Sequence, residues 1–552
     1  MHRISQVNCN QMASRIPVSV VVIGAGASGL AAAAALHSAG FHVTVLEAQN
    51  RTGGRIHCEL FPETAKNGHS EFIEYGAQWI HGEKHAVYEL AKTSGFVLEK
   101  RAGCLVDEDE ATGEFFTSTG KMISGEEKDV VENCLLFLNE VLVGIERREG
   151  FPMDIVDCGS VGQILRQKFE SFLEHNRQHS ELCEAVYHWL IRYQEIDNGC
   201  VNLNELSLRA FCDYGLDGDN TTRLNVPLRA LLDQISKDLP KDCIYLQHPV
   251  KTVTVTQTVE NVKEEAVLIG PSRGAEVELS SRELLASPVA PESDTAPRSV
   301  DGPTELHGAP VTVVCENGKT FPADHVIVTC SLGVLKKNIN SLFDPALPER
   351  KRRVIEAAGY GVIGKILLRF TDPFWDTLEP VPSDGFQLLW TCEANDNDLP
   401  GWCRHALGFD VVRTAANTLV LWIAPPGALA MEKASDEELS ADCHKLLRKF
   451  TGCSTVPEPE KLMREKWGSN PYTLGTYSFI SAKSAVEGFT AEDLAEPVFF
   501  RKRSLLGNEE VPSVLFAGEA TFPLFWSTVH GAILSGWREA ERLVKFYGNL
   551  LT

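Results

Sequence analysis

None of the 15 cysteines is spaced C-x-x-C from another, so zinc ribbons and thioredoxin-type redox motifs are unsupported and no metal site is expected. Scattered thiols in odd number fit a reducing compartment. The chain also lacks an uninterrupted apolar run near the ~20 residues that a bilayer-spanning helix needs. Its most apolar stretch, Val18 to Leu36, is broken by three glycines and carries a run of alanines, which argues against a signal peptide or membrane span. Positive charge is in short supply: 52 Lys and Arg face 75 Asp and Glu, a net charge of −23. Such a surface argues against DNA or RNA, whose binding rests on neutralised phosphates. It suits a cationic substrate, which its field would concentrate. There is no internal repeat, and the ending Asn549-Leu550-Leu551-Thr552 is not of the peroxisomal Ser-Lys-Leu type. The expectation is a soluble cytoplasmic protein, with the nucleus as an alternative compartment, that binds neither nucleic acid nor membrane.

What is present is enough apolar residue for a large core. At 552 residues and 43% hydrophobic, the chain holds more than one domain's worth of buried surface. After a polar stretch at 1–16, Val18 to Ile23 reads as a strand buried on both faces. Gly24-Ala-Gly-Ala-Ser-Gly29 follows, then an alanine-rich helix over Leu30 to Ser38 that Gly40 ends, then a second strand over His42 to Glu47. This is a βαβ unit. Gly24, Gly26 and Gly29 supply the tight turn, the close backbone approach to a pyrophosphate and the helix–strand packing of a dinucleotide fingerprint. Ser28 lies in the same turn, at the start of a helix whose free N–H groups and dipole attract phosphate. Glu47 closes the second strand, where a carboxylate can take both ribose hydroxyls. Arg51-Thr-Gly-Gly-Arg55 then places Arg55 within reach of a pyrophosphate.

Farther along, 125–235 has mostly helical spacing, with helices over Val130 to Ile145 and around 160–175 and 180–193. Strands are expected at 311–314, 326–329, 362–370 and 418–424, an amphipathic helix over Glu437 to Phe450, a short strand over Val514 to Gly518, and a long helix over His530 to Phe546. Residues 255–310 are rich in Ser, Pro, Glu and Ala, with 10 acidic residues to 4 basic, and read as a flexible acidic insertion.

With the glycine fingerprint, the acidic strand end and the Gly-Gly-Arg run together, the sequence resembles the flavin-containing amine oxidases. The resemblance extends over nearly the whole chain. Gly76-Ala-Gln-Trp-Ile-His-Gly82 is similar to the segment that passes the flavin ring, and Pro249-Val250 to the strand that meets the adenine. Ala323 to Thr329 with Ser331-Leu-Gly-Val-Leu335 is similar to the return into the flavin domain. Trp467-Gly-Ser-Asn-Pro-Tyr472 with Gly475-Thr-Tyr-Ser478 resembles the substrate-site strand, and Phe516 to Thr521 with Ser527-Thr-Val-His-Gly531 the C-terminal flavin segment. Among family members the likeness is strongest to the animal polyamine oxidases that act on spermine and N1-acetylated polyamines.

The resemblance implies a mixed α/β fold: a Rossmann-like FAD-binding domain with a parallel sheet (17–110, 225–335 and 490–552) and a substrate domain of mixed sheet and helices (111–224 and 336–489). It implies non-covalent FAD, a polyamine substrate and O2. Cofactor contacts fall to Gly24, Gly26, Ser28, Gly29, Glu47, Arg55, Gln78, Trp79, Val250, Glu519, Thr528 and Val529, with Glu519 bonding the ribityl chain. Lys365, which read alone would be an exposed strand residue, becomes the family's lysine that holds a water against flavin N5. His81 is assigned to substrate binding and a possible part in catalysis. Tyr472 and Thr528 match the two walls across the flavin ring, so the aromatic cage of many relatives has one wall replaced by a hydroxyl; Ser527 offers another.

Three alternatives stand beside a polyamine oxidase. A monoamine oxidase would show a cysteine near the C-terminus for a covalent flavin and a membrane tail, whereas the last cysteine is Cys453. A histone demethylase would add further domains and a helical tower. A flavin-binding scaffold without activity would not need Lys365. Because a segment of the composition of 255–310 cannot bury a core, its shortening to a few residues should leave flavin content and turnover within a few-fold of the parent. A colourless or inactive deletion protein would show that the segment is structural.

Overall fold

A strand flanked on both faces by other layers is apolar throughout, and Ser19–Ile23 meets that condition in the centre of a six-stranded sheet. The computed structural model describes residues 18–66, 69–97, 113–149, 159–213, 221–256, 310–378, 382, 384–391, 398–504 and 507–549. The expected insertion at 255–310 and the polar stretch at 1–16 lie outside these residues, apart from 255, 256 and 310. Ser19–Ile23 pairs in parallel with His42–Leu46 on one side and His325–Val328 on the other. Across the sheet the order is Val498–Ser504, Gly507–Phe516, His325–Val328, Ser19–Ile23, His42–Leu46, Ile244–Tyr245, parallel except at the Val498–Ser504 edge. The first helix, Ala27–Ser38, covers one face with Ala31, Ala32 and Ala33 fully buried.

Those small side chains let the last helix, Val529–Asn549, pack closely on the first. A Cβ placed on Gly536 would sit 2.2 Å from the carbonyl oxygen of Ser28. One residue earlier, the hydroxyls of Ser535 and Ser28 are hydrogen-bonded at 3.2 Å. Ends of the chain that are more than 500 residues apart in sequence thus meet beside the glycine turn.

A four-stranded sheet, in the order Thr320–Ala323, Val311–Cys315, Val250–Val255, Phe343–Asp344, flanks this layer. The expected domain boundary at 335 falls inside the helix Leu332–Asn338, and Phe343–Asp344, beyond that boundary, pairs with Val250–Val255. Leu335, Ile339, Leu342 and Phe343 pack with Val326 and Val328 in a single core.

The second large sheet is antiparallel except at one edge, in the order Lys461–Arg464, Gly364–Arg369, Thr418–Ile423, Ala406–Val411, Gly385–Leu389, Glu114–Thr117. Period-two alternation divides its side chains. Ile366 and Leu368 pack against the amphipathic helix Asp436–Thr451, while Lys365 and Leu367 face the other way. Helices Glu126–Glu146, Val161–His175 and Ser180–Asn198 pack together and against Leu389 and Leu407 of this sheet. The first and third run a few residues beyond the expected helices and the second matches its expected span; helix ends here are set by caps rather than apolar spacing. Ser160 accepts from the Gln163 N–H, Gly199 turns out at φ +65, and Ser435 and Glu438 form a reciprocal capping box. Among the described residues no helix is long and apolar enough to cross a membrane.

The Gly536–Ser28 contact generates a test. Gly536→Ala forces backbone apart, and overpacking of this kind costs about 1–3 kcal/mol. Its melting temperature should fall, and flavin retention with it, since both helices begin at the cavity described next. An unchanged melting curve would show that the two helices can separate freely.

Candidate active site

A cavity of about 1340 Å³ takes lining residues from both large sheets and from the long helices. At one end lies the glycine turn. Gly24 has φ +102, and a Cβ there would meet the Thr329 hydroxyl at 2.8 Å; a Cβ on Gly29 would meet the Gly24 carbonyl at 1.9 Å. Gly26, between them, has nothing within 4 Å of a Cβ position and borders the cavity. Two glycines are therefore required by packing and the third by what must approach it, the division of labour of a pyrophosphate turn. Glu47 is buried, accepts from the N–H of Ala25 at 2.7 Å and of Gln49 at 2.8 Å, and burial raises its pKa above the ordinary carboxylate value. Each carboxylate oxygen keeps a lone pair for a ribose hydroxyl. Val250 lines the cavity near Glu47's end of the sheet. The donor set fits the pyrophosphate and ribose of FAD.

Ser28 borders the cavity, but its hydroxyl is bonded to Ser535. Arg55 lines the cavity too, yet its Nη1 donates to Glu519 Oε1 at 2.8 Å and to the Thr476 carbonyl at 2.6 Å. The strand expected to run to Gly518 stops earlier, at Phe516; Gly518 turns at φ +135, and Glu519 opens a short 3-10 turn. Its Oε2 accepts from the Ser478 hydroxyl at 2.6 Å, the Ser478 N–H at 3.3 Å and the Ser527 N–H at 3.1 Å. The carboxylate expected to bond a ribityl chain is thus already a junction of four protein hydrogen bonds.

Lys365 is 6% exposed, not the surface residue its position in a strand would suggest by itself. Its Nζ donates at 2.9 Å to the carbonyl oxygens of Glu74 and Gly76 and to Gln78 Oε1. The strand register sets Lys365 opposite Trp422, and Nζ lies 4.8 Å from the centre of that ring. Trp422 stacks on Trp79 at 5.8 Å, and Arg223 lies over Trp79 at the same distance from its centroid. Burial pushes the Lys365 ammonium down to about 7, opposed by the charge of Glu74.

His81 ends the strand Trp79–His81, lines the cavity, and has its Nδ1 3.4 Å from the Thr221 hydroxyl. Burial, and then His85, lowers its pKa, which favours the neutral ring and leaves one ring nitrogen able to accept a hydrogen bond. Behind it His85 accepts the Tyr88 N–H at Nδ1, donates from Nε2 to the His81 carbonyl at 2.9 Å and stacks on His530 at 4.3 Å.

Tyr472, 39% exposed, borders the cavity on a loop rather than on the expected strand. Leu474 at φ +51 and Gly475 at φ +140 break the extended course, and the strand begins only at Tyr477. Glu432 holds this loop by accepting the N–H groups of Gly468 and Ser469, each at 2.7 Å. The Thr528 hydroxyl donates to Phe525 O at 2.8 Å and accepts from Gly531 N–H at 3.0 Å, capping the last helix. Ser527, at φ +69, donates its hydroxyl to Ser478 O. Neither hydroxyl has its hydrogen to give to a substrate, although each can still accept. Val529 opens the last helix at the cavity wall.

The structure gathers every residue singled out from the sequence except Gly29, which packs behind the turn, onto this one cavity. Sequence reasoning missed Glu74, Arg223, Asp410 and Trp422. Trp422 and Asp410 sit on strands whose register with Lys365 no local motif records. Glu74 lies two residues before Gly76 and had only that proximity to mark it.

The fold and site are those of a flavoenzyme with a dinucleotide turn facing a buried lysine. The profile of the family described as flavin containing amine oxidoreductase matches residues 27–268 and 298–544, and the chain belongs to that family. It is 31% identical to the peroxisomal N(1)-acetyl-spermine/spermidine oxidase of Bos taurus, over 96% of this chain and 95% of that protein. The Homo sapiens protein of that name is 30% identical over the same shares, and polyamine oxidase 1 of Oryza sativa subsp. japonica 28% over 96% and 97%. Among solved structures, a putrescine oxidase bound to putrescine has the same fold, with a TM-score of 0.62 and 18% identity over 96% of this chain and 99% of that one. The protein is an FAD-dependent amine oxidase.

No cysteine lies in the last helix or the turn before it, so the purified protein should be yellow and should give up all its FAD to the supernatant on acid precipitation. Flavin that stays with the pellet would show a covalent link through another residue of the cavity wall.

Proposed function

We propose that the chain is a polyamine oxidase of the cytoplasm, acting on a secondary amine of spermine or of an N1-acetylated polyamine. The observation that carries this reading is the buried Lys365, held by three acceptors at the inner end of a cavity that runs on to the long helices. Full-length similarity to curated acetylpolyamine and polyamine oxidases supports the substrate class. So does the far wall, where Glu146 and Asp197 line the cavity. Both side chains are exposed and offer carboxylates that can pair with the distal ammonium of a polyamine. The free thiols among the described residues support a reducing compartment, although the curated animal relatives are named peroxisomal.

The proposed reaction is R–CH2–NH–R′ + O2 + H2O → R–CHO + H2N–R′ + H2O2. FAD, when bound, accepts a hydride from the carbon beside the nitrogen. The substrate nitrogen reacts as the free amine, because only the free amine releases a hydride readily, and neutral His81 offers a ring nitrogen to bond it. Thr528 and Ser527 present acceptor lone pairs to substrate N–H groups. Tyr472 forms the outer wall. Lys365 directs its amine to the place where the ring segment Gly76–Gln78 passes and sets the local charge there.

Lys365→Met keeps the volume and removes the amine. It should fold and hold FAD while slowing one half-reaction by ~10²–10³, the loss typical of one positioned polar group at a reacting centre. Stopped-flow measurement of reduction by spermine and reoxidation by oxygen separates the two. Rates equal to wild type in both would remove Lys365 from the chemistry. A panel of spermine, N1-acetylspermine and monoamines, with aldehyde and peroxide identified, tests the substrate class; turnover of monoamines alone would overturn it.

A further inference from the structure

Lys365 Nζ has three hydrogen-bond acceptors, and only one of them sits on a side chain. The carbonyl oxygens of Glu74 and Gly76 belong to a turn whose backbone is pinned. The Tyr75 N–H donates to His57 O at 2.8 Å and the Ala77 N–H to Arg55 O at 3.2 Å. A Cβ on Gly76 would meet Arg55 O at 1.9 Å, so the turn lies directly on the Arg55 backbone. The third acceptor is Gln78 Oε1, at 2.9 Å. An ammonium has three hydrogens and no acceptor. All three are engaged by these oxygens, which leaves Nζ none with which to hold a water or to touch the flavin itself.

The same contact orients Gln78. Lysine only donates, so the amide turns its oxygen to Nζ and its NH2 group away. That group has no hydrogen-bond partner among the described residues and is not buried. Gln78 lines the cavity, one residue before the strand Trp79–His81. Two N–H donors are thus held out to what the cavity contains. Of the reaction partners, the flavin ring offers carbonyl oxygens and ring nitrogens as acceptors. A substrate ammonium offers none. A free amine that took an N–H on its lone pair would lose the electron density that expels the hydride.

We propose that Lys365 acts on the flavin through Gln78: the side-chain oxygen takes the charge-assisted hydrogen bond from Lys365, and the NH2 group donates to an acceptor of the ring. Gln78 is then the group that touches the cofactor, and Lys365 is its positioning residue. The ammonium polarises the amide, which strengthens the bond given at the other end. Such a donor stabilises the electron-rich reduced ring more than the oxidised one. The proposal rests on the reading of Lys365 as part of the reaction and adds which atoms carry its effect.

A double-mutant cycle on the holoenzyme tests this, read as the flavin midpoint potential as well as turnover. Gln78→Met removes both polar ends of the amide at similar volume. In the wild-type background it should shift the equilibrium toward oxidised flavin by about tenfold, the worth of one hydrogen bond. It should also slow the half-reaction that Lys365→Met slows. In the Lys365→Met background the same substitution should shift the equilibrium by less than about twofold, because the amide there has already lost its orientation. Should Gln78→Met fail to retain FAD, Gln78→Asn takes its place in the cycle; its shorter amide reaches only one of the two partners, and the same non-additivity is expected. A merely structural Gln78 predicts an unshifted potential. That result, or an equal shift in both backgrounds, would overturn the proposal. Lys365→Met with potential and half-reactions unchanged would sink the reading of Lys365 and the proposal together. A shift with Lys365→Met and none with the Gln78 variants would sink the proposal alone.

Discussion

The site depends on one ion pair, Arg55–Glu519, and on the three further hydrogen bonds that converge on the Glu519 carboxylate. Arg55 follows the glycine turn, Ser478 belongs to the strand after the Tyr472 loop, and Ser527 leads into the last helix. A buried carboxylate cannot stay unpaired, so each of these segments is fixed relative to the others by the requirement to satisfy it. Truncation of either partner would leave a charge without compensation, which costs far more than the pair itself contributes. The family resemblance gives Glu519 a place on the cofactor; the structure adds that it holds together the walls that face the cofactor.

Those parts of the molecule whose physics is local could be read from the sequence. A strand buried on both faces, a glycine turn and an alanine-rich helix announce themselves through composition and spacing over thirty residues. The βαβ unit accordingly appears where expected, with ends shifted by a residue or a few. The amphipathic helix Asp436–Thr451 was legible for the same reason, since its apolar stripe repeats every turn.

Long-range features were not legible in this way. Whether Lys365 is exposed or buried depends on which face of its strand meets the helices, and the residues on either side of it do not encode that. Its environment comes from Trp422 across the register and from the carbonyls of the Glu74–Gly76 turn, some 290 positions earlier. Motif likeness recovered Lys365, but motif likeness could not show that Ser28, Ser527 and Thr528 spend their hydroxyls on neighbours. Hydroxyls near a helix start are drawn to the open backbone groups there, and that competition is decided in three dimensions. The Tyr472 segment was misread as strand because Pro471 and Gly475 bound a loop, which Glu432 anchors at Gly468 and Ser469 and which Ser331 and Tyr360 anchor at the Thr473 carbonyl.

The meeting of the first and last helices also constrains when the molecule can form. Ser19–Ile23 meets His42–Leu46 at once, but its other neighbour, His325–Val328, arrives some 300 residues later, and the alanine face of the first helix waits for Val529–Asn549. While the chain is being synthesised, the glycine turn has no back wall and that alanine face stays open to any other apolar surface. The two segments with the strongest claim on the cofactor are thus made some 500 residues apart. A chain cut short before Val529–Asn549 would lose the wall that Ser535 and Gly536 build behind the glycine turn, so the ability to bind flavin reports that synthesis has passed this helix.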